Sequence, residues 1–307
     1  MNDTIGISVG VSTRNRPDAL ARCLDALLNG ERRPAEILVI DQSDDEAVAA
    51  MLRPRRSADV PIVHVRQRPL GLSAARNEMV RRATSEVLAV TDDDCVPDKG
   101  WVAALEGAFL RHPVPEAITG RVLALGPEQP GTYAVSLRSG TVPRDFTAPA
   151  IPWDVGTGAN FAVRRTRLQS LGGYDQRLGA GSAGHAGEDL DVYLRLLRSG
   201  SRIRYTPDAV VYHERVTEER RMATRWSYAF GIGALCGLLI GRRDRCGLTI
   251  LLHWSRRIAS RLLRAAFGLD LRHLRQALLS ASGTARGLLY GWRQSGGGGL
   301  VDRPEDR

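Results

Sequence analysis

Between Ile5 and Thr91, short apolar runs rich in β-branched residues alternate with segments of helical period, and that alternation leaves few folds open. The pattern predicts strands over 5–13, 36–42, 62–67 and 86–91, separated by helices from Pro17 to 28, over 44–53 and over 73–84. Strand and helix in strict turn give a mostly parallel sheet covered by helices, an α/β fold. Local chemistry agrees. Pro17 suits a first helical position, Ser73 suits an N-cap, and Leu20, Leu24, Leu27 and Leu28 share one helix face. There is no internal repeat and no heptad.

A helix over 98–112 follows, with Asp98 placed to cap it. Residues 126–152 then run without period, rich in proline, glycine and polar residues, which predicts a long surface excursion of the kind that shapes substrate sites. "GTGANFAVRR" returns as a strand, "LGGYDQRLGAGSAGHAGEDLDVYLRLLRSG" reads as a glycine-rich loop feeding a helix, and "SRIRYTPDAVVYHE" as two short strands. Residues 219–241, 247–267 and 270–293 read as three helices with apolar faces and arginine edges, such as Leu262, Leu263, Ala266 and Leu269 beside Arg257, Arg261 and Arg264. The uncharged run 226–241 is short and glycine-rich for a spanning helix, so an interfacial, re-entrant or core-packed helix fits it better. The residues from Gly296 have the composition of a disordered tail.

Charge is unevenly placed. The formal net charge is +9, yet residues 215–293 hold fifteen arginines against four acids, a local +11 that leaves about −2 for the rest. A basic segment of that kind meets nucleic acid, anionic lipid or an anionic substrate carrier. Cys23, Cys95, Cys236 and Cys246 lie far apart with no C-x-x-C pair, which predicts reduced thiols and no structural zinc. The start goes almost directly into "IGISVGVST", which predicts no secretory signal and a cytoplasmic setting.

Against that basic background, Asp92, Asp93 and Asp94 stand together where the strand "EVLAV" ends. Two readings are open. One is a solvated turn with an Asx cap. The other is a cation site, since Asp92 and Asp94 point to one side of an extended chain and two such carboxylates can hold Mg²⁺ or Mn²⁺. The carboxyl ends of strands are also where open α/β sheets bind ligands. Glu188 and Asp189 open the helix with apolar face Leu190, Tyr193, Leu194 and Leu197, where acids also complement the helix dipole without any function. Asp191 reads as first-turn charge, His185 as a loop, lid or acceptor contact, and His213 as the end of a short strand.

Taken in order, "VSTRNRP", "VIDQSDD", "GLSAARNEMVRRA", "AVTDDD", "GANFAVRR", "GGYDQRL", "GEDLDVYLRL" and "YTPDAVVYHE" resemble the family-2 glycosyltransferases of the GT-A fold, over residues 5–215. The resemblance implies transfer of a sugar from a nucleoside-diphosphate donor to an acceptor hydroxyl, with inversion at the anomeric carbon. It places Thr13, Arg14, Arg16 and Asp41 against base and ribose, and Arg76 and Asn77 beside the nucleotide. It makes Asp92 to Asp94 the D-x-D motif, with Asp93 on the donor side, Asp94 the best metal ligand, and Asp92 near ribose or metal. Asp189 matches the catalytic base, Glu188 its partner near the acceptor, and His213 a histidine that approaches the metal. Gln42 departs from the Asp, Asn or Gly of many relatives and leaves base and sugar open.

The expected organisation is a catalytic domain over 1–217, a basic helical region over 218–295 and a tail over 296–307. Expected partners are a UDP-, GDP- or dTDP-linked sugar, a sugar or lipid-linked acceptor in surface polysaccharide or glycolipid synthesis, and an anionic membrane surface on the cytoplasmic side. A sugar nucleotidyltransferase is the alternative enzyme, but "GVSTRNRP" lacks its glycine-rich phosphate loop. A non-catalytic membrane or nucleic-acid binder is the alternative of another class. With 6% aromatics and no aromatic–basic interleaving, nucleic acid is not expected as a partner.

Overall fold

The computed structural model describes residues 4–55, 59–268 and 271–296. Leu269, the side chain of Ala266 and the expected tail beyond Gly296 lie outside them. The chain divides into two compact units. The first takes the residues up to Tyr174 together with Val192–Val216, and the second takes Asp175–Asp191 together with the chain from Thr217 onward. The loop and first helical residues before Val192, expected within a 1–217 domain, therefore group with the C-terminal helices.

The first unit alternates as the hydrophobic pattern requires. In chain order it runs β1 (Ile7–Thr13), α1 (Pro17–Leu28), β2 (Glu36–Asp41), α2 (Ala47–Leu52), β3 (Ile62–Arg66), α3 (Leu72–Arg82), β4 (Val87–Asp92), β5 (Cys95–Pro97) and α4 (Trp101–Leu110). Then come β6 (Ala117–Ala124), β7 (Thr132–Tyr133), β8 (Arg144–Phe146), α5 (Pro152–Val155), β9 (Phe161–Arg164) and α6 (Arg165–Ser170). Helix α7 (Glu188–Arg198), which belongs to this unit only from Val192 on, and β10 (Ile203–His213) follow. Strands β3, β2, β1 and β4 lie side by side and parallel. Strand β9 joins them antiparallel to the parallel pair β6 and β10, and β5 and β8 add antiparallel to β10. Strands β1, β2 and β4 are buried on both faces, which is why they read as continuous apolar runs, whereas the edge strand β3 is only half-buried. Leu20, Leu24 and Leu27 of α1 seat in the same core as Val9, Val11, Ile37 and Val39.

Three local expectations are corrected. Ser73 is not the N-cap of α3: Gly71 takes that place at φ 92°, because the Gln42 side chain donates to the Gly71 carbonyl (3.1 Å) and accepts from its N–H (3.2 Å). Asp98 does not cap α4 directly; its carboxylate accepts from Gly100 N–H (3.0 Å) one turn earlier, and Gly100 is the cap residue. "SRIRYTPDAVVYHE" forms one strand, β10, rather than two. Its register against β6 jumps from Thr206 opposite Gly120 to Val210 opposite Arg121, so Pro207, Asp208 and Ala209 form a bulge. The bulge presses the Ala209 carbonyl onto Gly120, where a Cβ would collide with it, and Asn160 Nδ2 donates to that carbonyl (2.9 Å).

The excursion over 126–152 is tied back by a half-buried ion pair. Arg204 of β10 donates through Nε and Nη2 to the two oxygens of Asp145 (2.8 and 3.0 Å), and through its other N–H groups to the Arg111 and Pro113 carbonyls (2.8 and 2.9 Å). The Arg204 hydrogen bonds, opposed by burial and helped by the charges of Arg204 and Arg202, hold the Asp145 carboxyl below the usual range. Asp145→Ala leaves the guanidinium its carbonyl partners but not its carboxylate, and a loss of about 1.5–3 kcal/mol is expected in urea unfolding at pH 7. Because the folded pKa is depressed, the pair's stabilisation is present above the unfolded value of about 3.9 and is lost as pH falls through the folded one.

In the second unit, α8 (Glu218–Gly241), α9 (Cys246–Gly268) and α10 (Leu271–Gln294) replace the three helices read from the sequence almost residue for residue. Thr217 caps α8 by accepting from Arg220 N–H (3.4 Å). By length and composition α8 is long and apolar enough to cross a membrane. Within its unit, however, the apolar run is core-packed. Gly233 and Gly237 of α8 face α10, and Gly283, Gly287 and Gly291 of α10 face α8, so backbone meets backbone where any Cβ would collide. Trp254 of α9 donates to Thr284 Oγ1 of α10 (2.8 Å).

Candidate active site

The register of the parallel strands brings the candidate residues of the first unit to one edge. Thr13 pairs across from Asp41, and Ser12 from Asp92, so β1, β2 and β4 all end there. The chain does not stay extended through the acidic triplet: β4 stops at Asp92 and a turn over Asp93 and Asp94 leads into β5. β5 pairs antiparallel with the end of β10, Cys95 opposite His213, and Glu214 N–H donates to the Asp94 carbonyl (2.9 Å). The turn still separates the acids by direction. The side chains of Asp92, Asp94, Cys95 and His213 bring one ligand atom each within 4.8 Å of one another, while Asp93 turns away to Thr13 and Arg16.

Arg16 supplies the positive charge that three adjacent carboxylates need. Its Nη1 donates to Asp93 Oδ1 (2.7 Å) and its Nη2 to Asp94 Oδ2 (3.0 Å), with Glu214 at 3.8 Å. Burial alone would lower its pKa, but Asp93, Asp94 and Glu214 raise it overall. Thr13 Oγ1 donates to Asp93 Oδ2 (2.8 Å). Burial, opposed by Arg16 and Thr13 and reinforced by Asp94 and Asp92, pushes the Asp93 carboxyl up to about 7.

The donor set fits a hard divalent cation: two carboxylates and an imidazole converge at one point. His213 Nδ1 lies 2.9 Å from the Glu214 carbonyl, so a proton there leaves the Nε2 lone pair directed to the Asp94 side, 3.6 Å from Oδ1. Cys95 was missed as a neighbour, although "DDDC" places it next to the triplet. Burial, then Asp92 and Asp94, push its thiol well up.

Other candidates are spent on building the edge. Arg76, 2% exposed, donates to Asp92 Oδ1 (3.3 Å) and to the Gly158 carbonyl (3.1 Å), with its guanidinium 5.5 Å over the Tyr174 ring. Asn77 grips the Tyr174 backbone through both ends of its amide (2.8 and 2.7 Å). Asp41, fully buried, accepts from Ser43 N–H (2.8 Å) and lies 2.9 Å from His64 Nε2. Burial raises its pKa, but Ser43 and His64 outweigh that and hold it low. His64 carries no local sequence signal; only the β2–β3 pairing brings it there. Arg14 is exposed and pairs with Asp44 (3.4 Å), away from the triplet.

Glu188 and Asp189 head α7 in the second unit, with Asp191 in the same turn. The loop before them is held by the C-terminal helices. Arg177 donates to the Gln294 carbonyl (3.0 Å), and Tyr290 donates to the Arg177 carbonyl (3.1 Å). His185, at φ 62°, sets its ring edge-on to Phe230 and Trp226, with centroids 4.8 and 5.2 Å away. Gly187, at φ 91°, meets Gly231 of α8 so closely that a Cβ would lie 2.9 Å from the Gly231 carbonyl oxygen.

With that geometry in place, comparisons with known proteins become informative. Residues 8–168 match the family model described as glycosyl transferase family 2, and residues 138–290 that of glycosyl transferase family group 2. The succinoglycan biosynthesis protein ExoM of Rhizobium meliloti is 32% identical over 229 residues, covering 71% of this chain and 70% of that protein. The pre-mycofactocin glycosyltransferase of Mycobacterium tuberculosis is 27% identical over 232 residues, 74% of this chain and 47% of that protein, so the chain spans about half the length of that relative. Among solved structures, the mannosyltransferase PcManGT from Pyrobaculum calidifontis, in complex with GDP-Man and Mn²⁺, matches with a TM-score of 0.62 at 17% identity, over 95% of this chain and 89% of that one. That likeness shows the fold, a GT-A-like α/β sheet.

Proposed function

The chain belongs to glycosyl transferase family 2, and on that basis we propose that it transfers a sugar from a nucleoside-diphosphate donor to an acceptor hydroxyl, inverting the anomeric carbon. The observation that carries the reading is the convergence of Thr13, Arg16, Asp92, Asp93, Asp94 and His213 at the carboxyl ends of β1, β4 and β10. In an α/β sheet that edge is where ligands bind, and its chemistry suits a diphosphate.

Each residue then has a task. Asp94, with Asp92 and His213, would hold Mg²⁺ or Mn²⁺, which supplies neutralisation of the charge that grows on the departing nucleoside diphosphate. Arg16, held by Asp93 and Asp94 at the same edge, is the cation placed to meet the diphosphate, and Arg76 keeps Asp92 aimed. Thr13, Arg14, Asp41, Asn77 and Asp93 shape or line the base, ribose and donor side. Asp189 takes the proton from the attacking hydroxyl, with Glu188 beside it on the acceptor side; inversion needs a single base. The relative named for succinoglycan biosynthesis favours a sugar acceptor in surface polysaccharide or glycolipid synthesis, and the basic helical unit favours a lipid-linked one handled at the cytoplasmic face of the membrane.

A panel of UDP-, GDP- and dTDP-sugars with Mn²⁺ or Mg²⁺ tests this. One donor is expected to release its nucleoside diphosphate, and EDTA to stop the release. Pyrophosphate as the product would instead make the enzyme a nucleotidyltransferase. Absence both of release and of any nucleotide-dependent rise in Tm would remove the catalytic reading altogether.

A further inference from the structure

Helices α9 and α10 contain eight arginines and not one Asp or Glu between Cys246 and Gly268 or between Leu271 and Gln294. Helix α9 also has two apolar stripes. Ile250, Trp254 and Ile258, four residues apart, are buried within the unit. Leu248, Leu252 and Leu263 are turned to solvent, 57%, 51% and 58% exposed, with exposed Ala259 among them. At 100° per residue those four fall within an arc of about 60°, with Arg256 on its border. Helix α10 does the same: Leu271, Leu278, Leu289 and Trp292 are exposed on one arc, with Arg275, Arg286 and Arg293 exposed beside it. Leucines at helical spacing on an exposed face cost free energy in water unless something covers them.

The charge says what that cover must be. Arg225 of α8 and Arg261 of α9 stand among other cations. Burial first, then Arg261 and Arg221, press the Arg225 pKa down; burial, then Arg257 and Arg264, press down that of Arg261. Arg225 Nε is buried without a hydrogen-bond partner, and the Arg261 guanidinium lies 6.0 Å over the Trp254 ring. Arginines packed against arginines favour an anionic partner, and leucine arcs bordered by arginine favour one whose apolar and anionic layers lie a few ångströms apart.

We propose that the exposed faces of α9 and α10 dock on an anionic lipid bilayer, Leu248, Leu252, Leu263, Leu278, Leu289 and Trp292 entering the headgroup boundary while the bordering arginines take lipid phosphates. The proposal deepens, and rests on, the reading of the basic unit as membrane-associated; it does not depend on the sugar-transfer chemistry. A second copy of the chain is disfavoured as occupant, because it would bring the same arginines against these.

Co-sedimentation of the full chain with vesicles tests it, using phosphatidylglycerol mixed with phosphatidylcholine against phosphatidylcholine alone. Wild type is expected to bind the anionic vesicles at least tenfold more tightly, with binding that falls as salt rises. Leu248→Ser with Leu252→Ser and Leu263→Ser should lose tenfold or more at every salt concentration. Arg256→Gln with Arg275→Gln and Arg286→Gln should lose on the order of 10²-fold at low salt. Circular dichroism and Tm check that each variant is folded. Equal binding to both vesicle types, binding to neither, or leucine variants that bind as wild type would each overturn the proposal. So would a concentration-dependent dimer that the leucine substitutions dissolve. Release of nucleoside diphosphate from a soluble donor, measured on the same proteins, separates the two readings: vesicle binding without release sinks the enzyme proposal and leaves this one standing.

Discussion

Asp189→Asn is expected to lower kcat for sugar transfer by about 10²–10⁴-fold at saturating donor and acceptor. The substitution keeps size and hydrogen-bonding capacity, and Asp189 sits in the first turn of α7, where the loss of one acid costs the helix about 0.3–1 kcal/mol. Stability should therefore change little while the proton acceptor disappears. Donor KM is expected to stay within about twofold, because a base that acts on the acceptor hydroxyl contributes in the transition state and not to donor binding. Glu188→Gln, which leaves the proposed base in place, should show in acceptor KM more than in kcat. If Asp189→Asn kept near-wild-type transfer while folding normally, the base assignment would be wrong, and Glu188 would be the next residue to test.

Much of the first unit was legible because burial on both faces writes a strand directly into sequence. β1, β2 and β4 are such strands, and Pro17 and the leucines of α1 mark the helix that covers them. What escaped depends on contacts between distant residues. Nothing near "YTPDAVV" says that Pro207 to Ala209 bulge within one strand; the cause is the register against Gly120, almost ninety residues earlier in the chain. Ser73 looks like a cap until Gln42 is seen to hold Gly71.

The site divides the same way. The acidic triplet was visible as a knot of like charge, and His213 as a strand end, but the pairing of Cys95 with His213 that sets them together spans 118 residues. Asn77 was expected beside the nucleotide, and the structure shows its amide gripping the Tyr174 backbone. The three C-terminal helices were legible from their period, whereas their hold on the loop before Glu188 was not. That hold comes from Gly187 against Gly231 and from His185 on Phe230 and Trp226, pairs that no local pattern announces. The basic helices thus do more than add charge: they fix the loop that leads into the proposed base.

The second large effect is expected from Asp94→Asn. Asp94 stands between Arg16 and His213. Its Oδ2 accepts from Arg16 (3.0 Å), and its Oδ1 lies 3.6 Å from His213 Nε2. Removing its charge takes away one of the two carboxylates that face the imidazole, while the turn itself survives, because Glu214 N–H is held by the Asp94 backbone carbonyl. Mn²⁺ binding in the presence of a nucleoside diphosphate, read by titration calorimetry, should weaken by at least about 10²-fold, the upper end of what losing a group that merely supports a metal ligand costs. kcat/KM should fall by about 10³-fold, several kcal/mol of leaving-group stabilisation. Asp93→Asn is the contrast. Asp93 gives its oxygens to Thr13 and Arg16 and turns from the cluster, so Mn²⁺ affinity should change far less. Equal losses from the two substitutions would mean that net charge matters and geometry does not, and the assignment of Asp94 as the principal ligand would fall.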